Sequence, residues 1–150
     1  MASGAATRQR RWMAVDLGDR RVGIAVSDPL GMIASPAGHV ERRAGKRPPL
    51  TALLARATEL GAEGFVIGLP LDEQGEDTPR AAEARRLGVE LGARTGHPVE
   101  MVDERFSTAA ALRAIKEMEG STRGRKGDVD ALAAAILLRT ALEMMDSRDG

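Results

Sequence analysis

Asp16 stands in the run Met13-Ala14-Val15-Asp16-Leu17-Gly18-Asp19-Arg20-Arg21-Val22-Gly23-Ile24-Ala25-Val26-Ser27, where an apolar strand gives way to a tight turn and a second strand. A carboxylate at a strand tip is fixed by a rigid element yet open to a polar ligand, and Gly18 lets the backbone turn or approach that ligand closely. Metal or phosphate chemistry is one reading of Asp16. The other is a turn cap, in which Asp bonds its own backbone. Glu104, within Asp103-Glu104-Arg105, follows the apolar run Val99-Glu100-Met101-Val102, and Asp130 opens the last helical stretch. Ligands of open α/β sheets bind at the carboxyl ends of strands, and a helix packed across the sheet could bring Asp130 to the same edge. Three converging carboxylates without His or Cys suit Mg²⁺ or Mn²⁺, hard ions that take oxygen ligands. Two such ions about 4 Å apart can activate water and stabilise the leaving oxygen of a phosphodiester. Ordinary roles stand beside these: Asp103 and Glu104 can pair with Arg105, and Asp130 gains about 0.3–1 kcal/mol from the helix dipole. Asp128 competes with Asp130, but two positions apart on a helix they cannot share a direction. Following Gly127, Asp128 is expected to cap the helix, leaving Asp130 to face the ligand.

Positioning these groups requires an α/β sandwich. Residues 12–17 and 21–27 read as paired strands, and a third strand around 32–42 is broken by Pro36. Leu50, Leu53, Leu54, Ala57 and Leu60 follow helical spacing, with Gly61 placed to end that helix. Gly64-Phe65-Val66-Ile67-Gly68-Leu69-Pro70 has the look of a buried parallel strand. A helix follows from about Pro79 to Arg94, with Ala84, Leu87 and Leu91 inward, and then the strand 99–102. Ser107 or Thr108 would cap a helix carrying Leu112, Ile115 and Met118 on one face. The final helix is expected from about Val129 to Met144, with Val129, Leu132, Ala133, Ile136 and Leu137 inward.

Composition limits what can surround the site. At 150 residues and 43% hydrophobic, the chain supports one domain that buries roughly two thirds of its unfolded surface. The 22 basic and 22 acidic residues cancel, so any polyanion site rests on local clusters. The absence of Cys excludes disulfides and thiolate metal sites. No apolar run approaches the ~20 residues of a membrane span and the N-terminus lacks a hydrophobic signal core, so a cytoplasmic location is expected. Residues 1–11 read as a disordered tail whose Arg8, Arg10 and Arg11 could brush a polyanion, residues 12–145 as the domain, and 146–150 as a second tail.

Four segments together are more specific than any one: Val15-Asp16-Leu17-Gly18 with Arg21-Val22-Gly23-Ile24-Ala25-Val26-Ser27-Asp28; Val66-Ile67-Gly68-Leu69-Pro70; Val102-Asp103-Glu104-Arg105-Phe106-Ser107-Thr108; and Lys126 with Asp130-Ala131-Leu132-Ala133-Ala134 and Ile136-Leu137. In order and spacing they resemble the YqgF family of Holliday junction resolvases, over about residues 12–143. The resemblance implies a ribonuclease H-like fold, a mixed central sheet of about five strands flanked by helices. It also implies a metal-dependent nuclease that matures the 5′ end of the 16S ribosomal RNA precursor, or one that acts on DNA junctions. The family's acidic triad falls on Asp16, Glu104 and Asp130. Asp72 departs from the Asn often found there, adding a negative charge beside a phosphate site.

Substrate binding is expected from local positive charge: Arg20 and Arg21 beside the Asp16 turn, Arg105 beside Glu104, and Arg123, Arg125 and Lys126 just before Asp130. Arg42, Arg43, Lys46 and Arg47 form a second basic loop that could equally serve only solubility. With one Trp, two Phe and no Tyr, the chain lacks a stacking platform for single strands, which favours recognition of a structured RNA or branched duplex through its backbone. His39 and His97 stand without partners at motif spacing and are not expected to be catalytic. Asp16-Leu17-Gly18 with Gly23 also resembles the first phosphate motif of actin-like ATPases and sugar kinases, but those need two such domains to close over a nucleotide. A non-catalytic RNA-binding module, associated with ribosomal particles, is a third reading. A monomer or weak homodimer is expected.

Overall fold

The computed structural model describes residues 9–43, 46–108, 112 and 126–149; the side chains of residues 106, 126–128 and 149 lie outside that description. Five strands form one sheet: β1 (Trp12–Leu17), β2 (Arg21–Ser27), β3 (Ala34–Glu41), β4 (Gly64–Leu69) and β5 (Val99–Asp103). Their order is β3-β2-β1-β4-β5, with β1, β2 and β3 antiparallel and β1, β4 and β5 parallel. This is the expected mixed five-stranded sheet. Pro36 lies in β3, an edge strand, where a missing N–H costs no central ladder bond. Between the Ala25–Pro36 and Gly23–His39 pairs β3 carries one extra residue, and Gly38 there takes a φ of 83°.

β1 is buried on both faces, and its alternation divides the core in two. Met13, Val15 and Leu17 pack with Val22, Ile24, Phe65 and Ile67 beneath the two helices α1 (Leu50–Leu60) and α2 (Pro79–Thr95). Trp12 and Ala14 pack with Ala25, Val66 and Val102 beneath α3 (Lys126–Asp149). α1 ends at Gly61, whose φ of 69° is the left-handed cap expected of it. Thr78 caps α2 by accepting from Ala81 N, with Pro79 in the first turn.

Several expectations are corrected. Arg10 and Arg11 do not belong to a loose tail: the Arg11 N–H donates to Glu63 at 2.9 Å and its guanidinium to Ser27 O at 3.1 Å, while Arg10 lies 5.6 Å from the centre of the Trp12 ring. α3 continues to Asp149, and Arg148 pairs with Glu100, so residues 146–149 are helix. Its inward face differs from the expected stripe by a small rotation. Asp130, Ala134, Leu137, Leu138, Ala141 and Met145 are buried, whereas Leu132 is 44% exposed. Asp130 therefore lies on the buried face itself. Asp128 sits inside the helix rather than at its N-cap, since the described helix begins two residues earlier, at Lys126. The helix expected after Thr108 lies outside the described residues, except Leu112, which packs partly buried against the α3-side core. Among the described residues, no helix is long and apolar enough to cross a membrane.

Gly23 is what lets α3 lie this close. A Cβ built there would sit 2.1 Å from the backbone oxygen of Asp130, and neither strand nor helix backbone can yield to it. Gly92 of α2 is the opposite case, where a Cβ would meet Val99 Cγ2 at an ordinary 3.5 Å. Gly23→Ala is expected to lower the free energy of unfolding by about 1–3 kcal/mol through overpacking. Gly92→Ala should raise it by up to about 1 kcal/mol through helix propensity. Urea unfolding of both variants checks the pair.

Candidate active site

Asp16 points to the α3 face of the sheet, as alternation from Trp12 and Ala14 requires. Its antiparallel partner is Gly23. On its other side β1 runs parallel to β4, and one step beyond the Val15–Ile67 pair it is flanked by Gly68. The central carboxylate thus stands between two residues that have no side chain, and that bare ground is filled by the other two acids. A Cβ on Gly68 would lie 2.6 Å from Glu104 Oε1 and 2.8 Å from Leu137 Cδ1, so the Glu104 side chain reaches back over β4 against α3. Asp130 lies over Gly23, its own Cβ 3.1 Å from where a Cβ there would be. The three carboxylates come from a strand, a 3-10 turn (Glu104–Phe106) and a helix, and they are only 3%, 3% and 8% exposed.

Asp130 is not alone in its charge. Arg21 Nε donates to its Oδ2 at 2.9 Å. Among the described residues, no three His, Cys, Asp or Glu side chains are already gathered as a closed ligand set. The donors are all carboxylate oxygens, which is the chemistry of a hard divalent cation. Burial pushes the Glu104 carboxyl up to about 7, with Arg80 drawing it down and Asp103 raising it further. Asp103 behaves oppositely: the Arg105 guanidinium holds it below the usual range, and its Oδ1 also accepts the Arg105 N–H to open the 3-10 turn.

The expected substrate-binding arginines separate into distinct groups. Arg20 is exposed at the β1–β2 turn. Arg21 is committed to Asp130, and Arg105 grips both oxygens of Asp103, at 3.0 and 3.1 Å from Nε, while rimming an open cleft with Ser107, Thr108 and Arg139. Arg123 and Arg125 lie outside the described residues, and of Lys126 only its place in the helix is described. Arg42 is no loop cation: it is buried, donating to Gly18 O, Lys46 O and Glu83 Oε2, and so ties the β1–β2 turn to α2. Asp72 organises its own loop, its Oδ1 accepting from Gln74 N and Glu76 N at 2.9 Å each, a role an Asn oxygen would fill equally. His39, paired with Gly23 on the edge strand, has its ring bonded to Glu41.

Sequence reasoning passed over the clearance role of Gly23 and Gly68. A glycine inside a strand was the available signal, since it marks a place where another backbone or a ligand comes close. Arg80 left no such signal. It donates to Leu17 O at 3.1 Å, pairs with Asp19, and bears on Glu104 only through folding.

The Glu104 shift fixes a pH dependence. Between its ordinary 4.5 and about 7 the folded state holds a proton that the unfolded chain has released. The contribution of this group to stability is therefore complete below 4.5 and lost as pH rises through 7. Glu104→Gln, neutral throughout, should escape that loss. In buffer free of divalent cations it should melt above the wild type at pH 8, with the gap closing towards pH 4.5. Thermal melts followed by circular dichroism across that range check this.

The profile of the family described as RuvX: Holliday junction resolvase matches residues 10–144. A protein of Clavibacter michiganensis subsp. michiganensis, named "Putative pre-16S rRNA nuclease", is 39% identical over 131 residues, 87% of this chain and 81% of that one. One of the same name from Acidiphilium cryptum is 39% identical over 140 residues, 93% of this chain and 87% of that one. Among solved structures, T. thermophilus RuvC in complex with a Holliday junction substrate aligns with a TM-score of 0.55 at 15% identity, covering 94% of this chain and 96% of that one, a likeness of fold. With the profile spanning nearly the whole domain and the relatives this similar, the chain belongs to the RuvX family of Holliday junction resolvase-type nucleases, the YqgF family whose motifs it carries.

Proposed function

We propose that the protein is a divalent-metal-dependent endonuclease that hydrolyses phosphodiester bonds in the 5′-end maturation of precursor 16S rRNA. The observation that carries the chemistry is the row Gly23–Asp16–Gly68, over which Asp130 and Glu104 join Asp16 from separate elements. The printed names of the relatives support the RNA substrate. The family's own description favours a second reading, cleavage of four-way DNA junctions. In either case the enzyme works in the cytoplasm, as a monomer or weak dimer.

Asp16, Glu104 and Asp130 would hold the metal, whether Mg²⁺ or Mn²⁺. When bound, such an ion polarises the attacking water and offsets charge on the phosphate and leaving oxygen. The residues themselves supply position. Asp16 is held by ladder bonds on both sides of β1, and Glu104 by the 3-10 turn that Asp103 opens. Arg21 neutralises Asp130 through Oδ2, and from that place it would also offer a donor to a phosphate bound at the site. Arg20 and Arg105 flank it, with Arg123, Arg125 and Lys126 as further phosphate contacts.

Labelled precursor 16S RNA, a four-way junction and single-stranded DNA, each incubated with Mg²⁺, Mn²⁺ or EDTA, test the proposal. Cleavage of the RNA at its 5′ flank, abolished by EDTA, is the expected result; junction cleavage alone supports the second reading. Asp16→Asn and Asp130→Asn should each reduce cleavage by on the order of a hundredfold or more, since even residues behind a metal ligand cost ten- to a hundredfold. Both should melt normally. Arg21→Ala removes a guanidinium bound to a buried carboxylate and should lower the metal-free melting temperature by roughly 3–6 °C. Mg²⁺ should then raise its melting temperature by more than it raises the wild type's, a comparison that differential scanning fluorimetry makes directly.

A further inference from the structure

On the α2 side of the sheet an open cleft of about 630 Å³ runs between the segment after β3 and the first two turns of α2. Lys46, Arg47, Arg80 and Arg86 line it, opposed by Asp19 and Glu83. Positive charge therefore dominates this cleft, although the chain as a whole is neutral. The carboxylates are already taken. Asp19 pairs with Arg80, and Glu83 receives the buried Arg42 at 2.5 Å and Arg80 at 3.5 Å. Lys46, Arg47 and Arg86 are exposed and have no side-chain partner among the described residues.

We propose that this cleft is a binding track for the phosphodiester backbone of the substrate nucleic acid, distinct from the carboxylate site; the inference rests on the nuclease reading and extends it to a second contact surface. Two features favour a polymer over a small anion. Arg80 and Arg86 are six residues apart on one helix, about 9 Å along its axis, farther than one phosphate group bridges but within reach of successive phosphates of a duplex strand, which follow one another at about 3.4 Å of duplex axis. The cleft is also a trough open to solvent, lined by long cationic side chains with no exposed aromatic ring among them, which suits backbone contact rather than base reading. Its inner end lies at the β1–β2 turn, where Arg80 holds the carbonyl of Leu17, the residue after Asp16. A strand lying in the cleft is thereby led towards the edge of the sheet that carries the carboxylates. Arg42 contributes as a strut, its guanidinium locking Gly18 and Lys46 to α2 so that the two walls keep their spacing.

The test is the salt dependence of binding, read in EDTA so that no strand is cut, with a fluorescein-labelled four-way DNA junction and a labelled precursor 16S RNA as probes. The triple variants Lys46→Ala/Arg47→Ala/Arg86→Ala and Lys46→Gln/Arg47→Gln/Arg86→Gln are compared with the wild type, the glutamines preserving side-chain bulk. Each phosphate contact contributes about 0.9 to the slope of log affinity against log salt on duplex DNA and about 0.7 on single strands. Both variants should therefore flatten the slope by about 2–3 and raise Kd roughly tenfold at moderate salt. A slope in the glutamine variant equal to that of a wild type that binds overturns the cleft while leaving the nuclease reading standing. A wild type that binds neither probe overturns the nuclease reading and the cleft together.

Discussion

The approach of a helix to a sheet is ordinarily limited by the side chains between them, and here it is limited by backbone. Gly23 and Gly68 flank Asp16 across three adjacent strands, and a Cβ on either would fall within 3 Å of Asp130 or Glu104. Because both positions are bare, α3 settles on β2 and Glu104 folds back over β4. Much else in the structure serves this contact. The small residues Ala133, Ala134, Ala135 and Ala141 keep α3 close along the length of the sheet, and Trp12, Leu137, Leu138 and Met145 fill the volume further from the site.

Such closeness has an electrostatic cost. Three carboxylates are taken almost wholly out of water within one small region, and burying like charges together is unfavourable unless each is neutralised, protonated or bound. The structure meets this differently at two of the acids: Asp130 takes Arg21, and Glu104 is pushed up to about 7 so that it carries a proton through much of the acid range. The neighbouring Asp103 is paired with Arg105. A divalent cation would relieve that cost, and carboxylate oxygens are the ligands such a hard ion takes.

The family motifs were readable because each is a run of neighbouring residues under a strong local constraint. Val15-Asp16-Leu17-Gly18 is a buried strand entering a turn, and Val66-Ile67-Gly68-Leu69-Pro70 is a buried strand stopped by proline; both were found with nearly their observed bounds. Reading failed where the deciding partner is distant in sequence. Arg42 looks like any loop cation until Glu83 and Gly18 surround it, and nothing in the segment around Arg80 announces that it will hold the carbonyl of Leu17. The inward face of α3 was misread by a fraction of a turn because the helix is apolar nearly all round, so that Leu132 and Ala134 are equal candidates for the core until the sheet selects one.

By itself the sequence determined the alternation that puts Asp16 on the face opposite Leu17, the glycines that leave room beside it, the caps that end α1 and start α2, and the absence of any thiolate ligand. These follow from local sterics and side-chain chemistry, which act over a few residues. Only the tertiary structure decided that Asp130 lies over Gly23, that Glu104 lies over Gly68, and that Arg21 rather than solvent meets Asp130. Those are contacts between elements as far apart as 109 residues along the chain, and which side chains meet there is set by how two packed faces fit, a property no single segment contains.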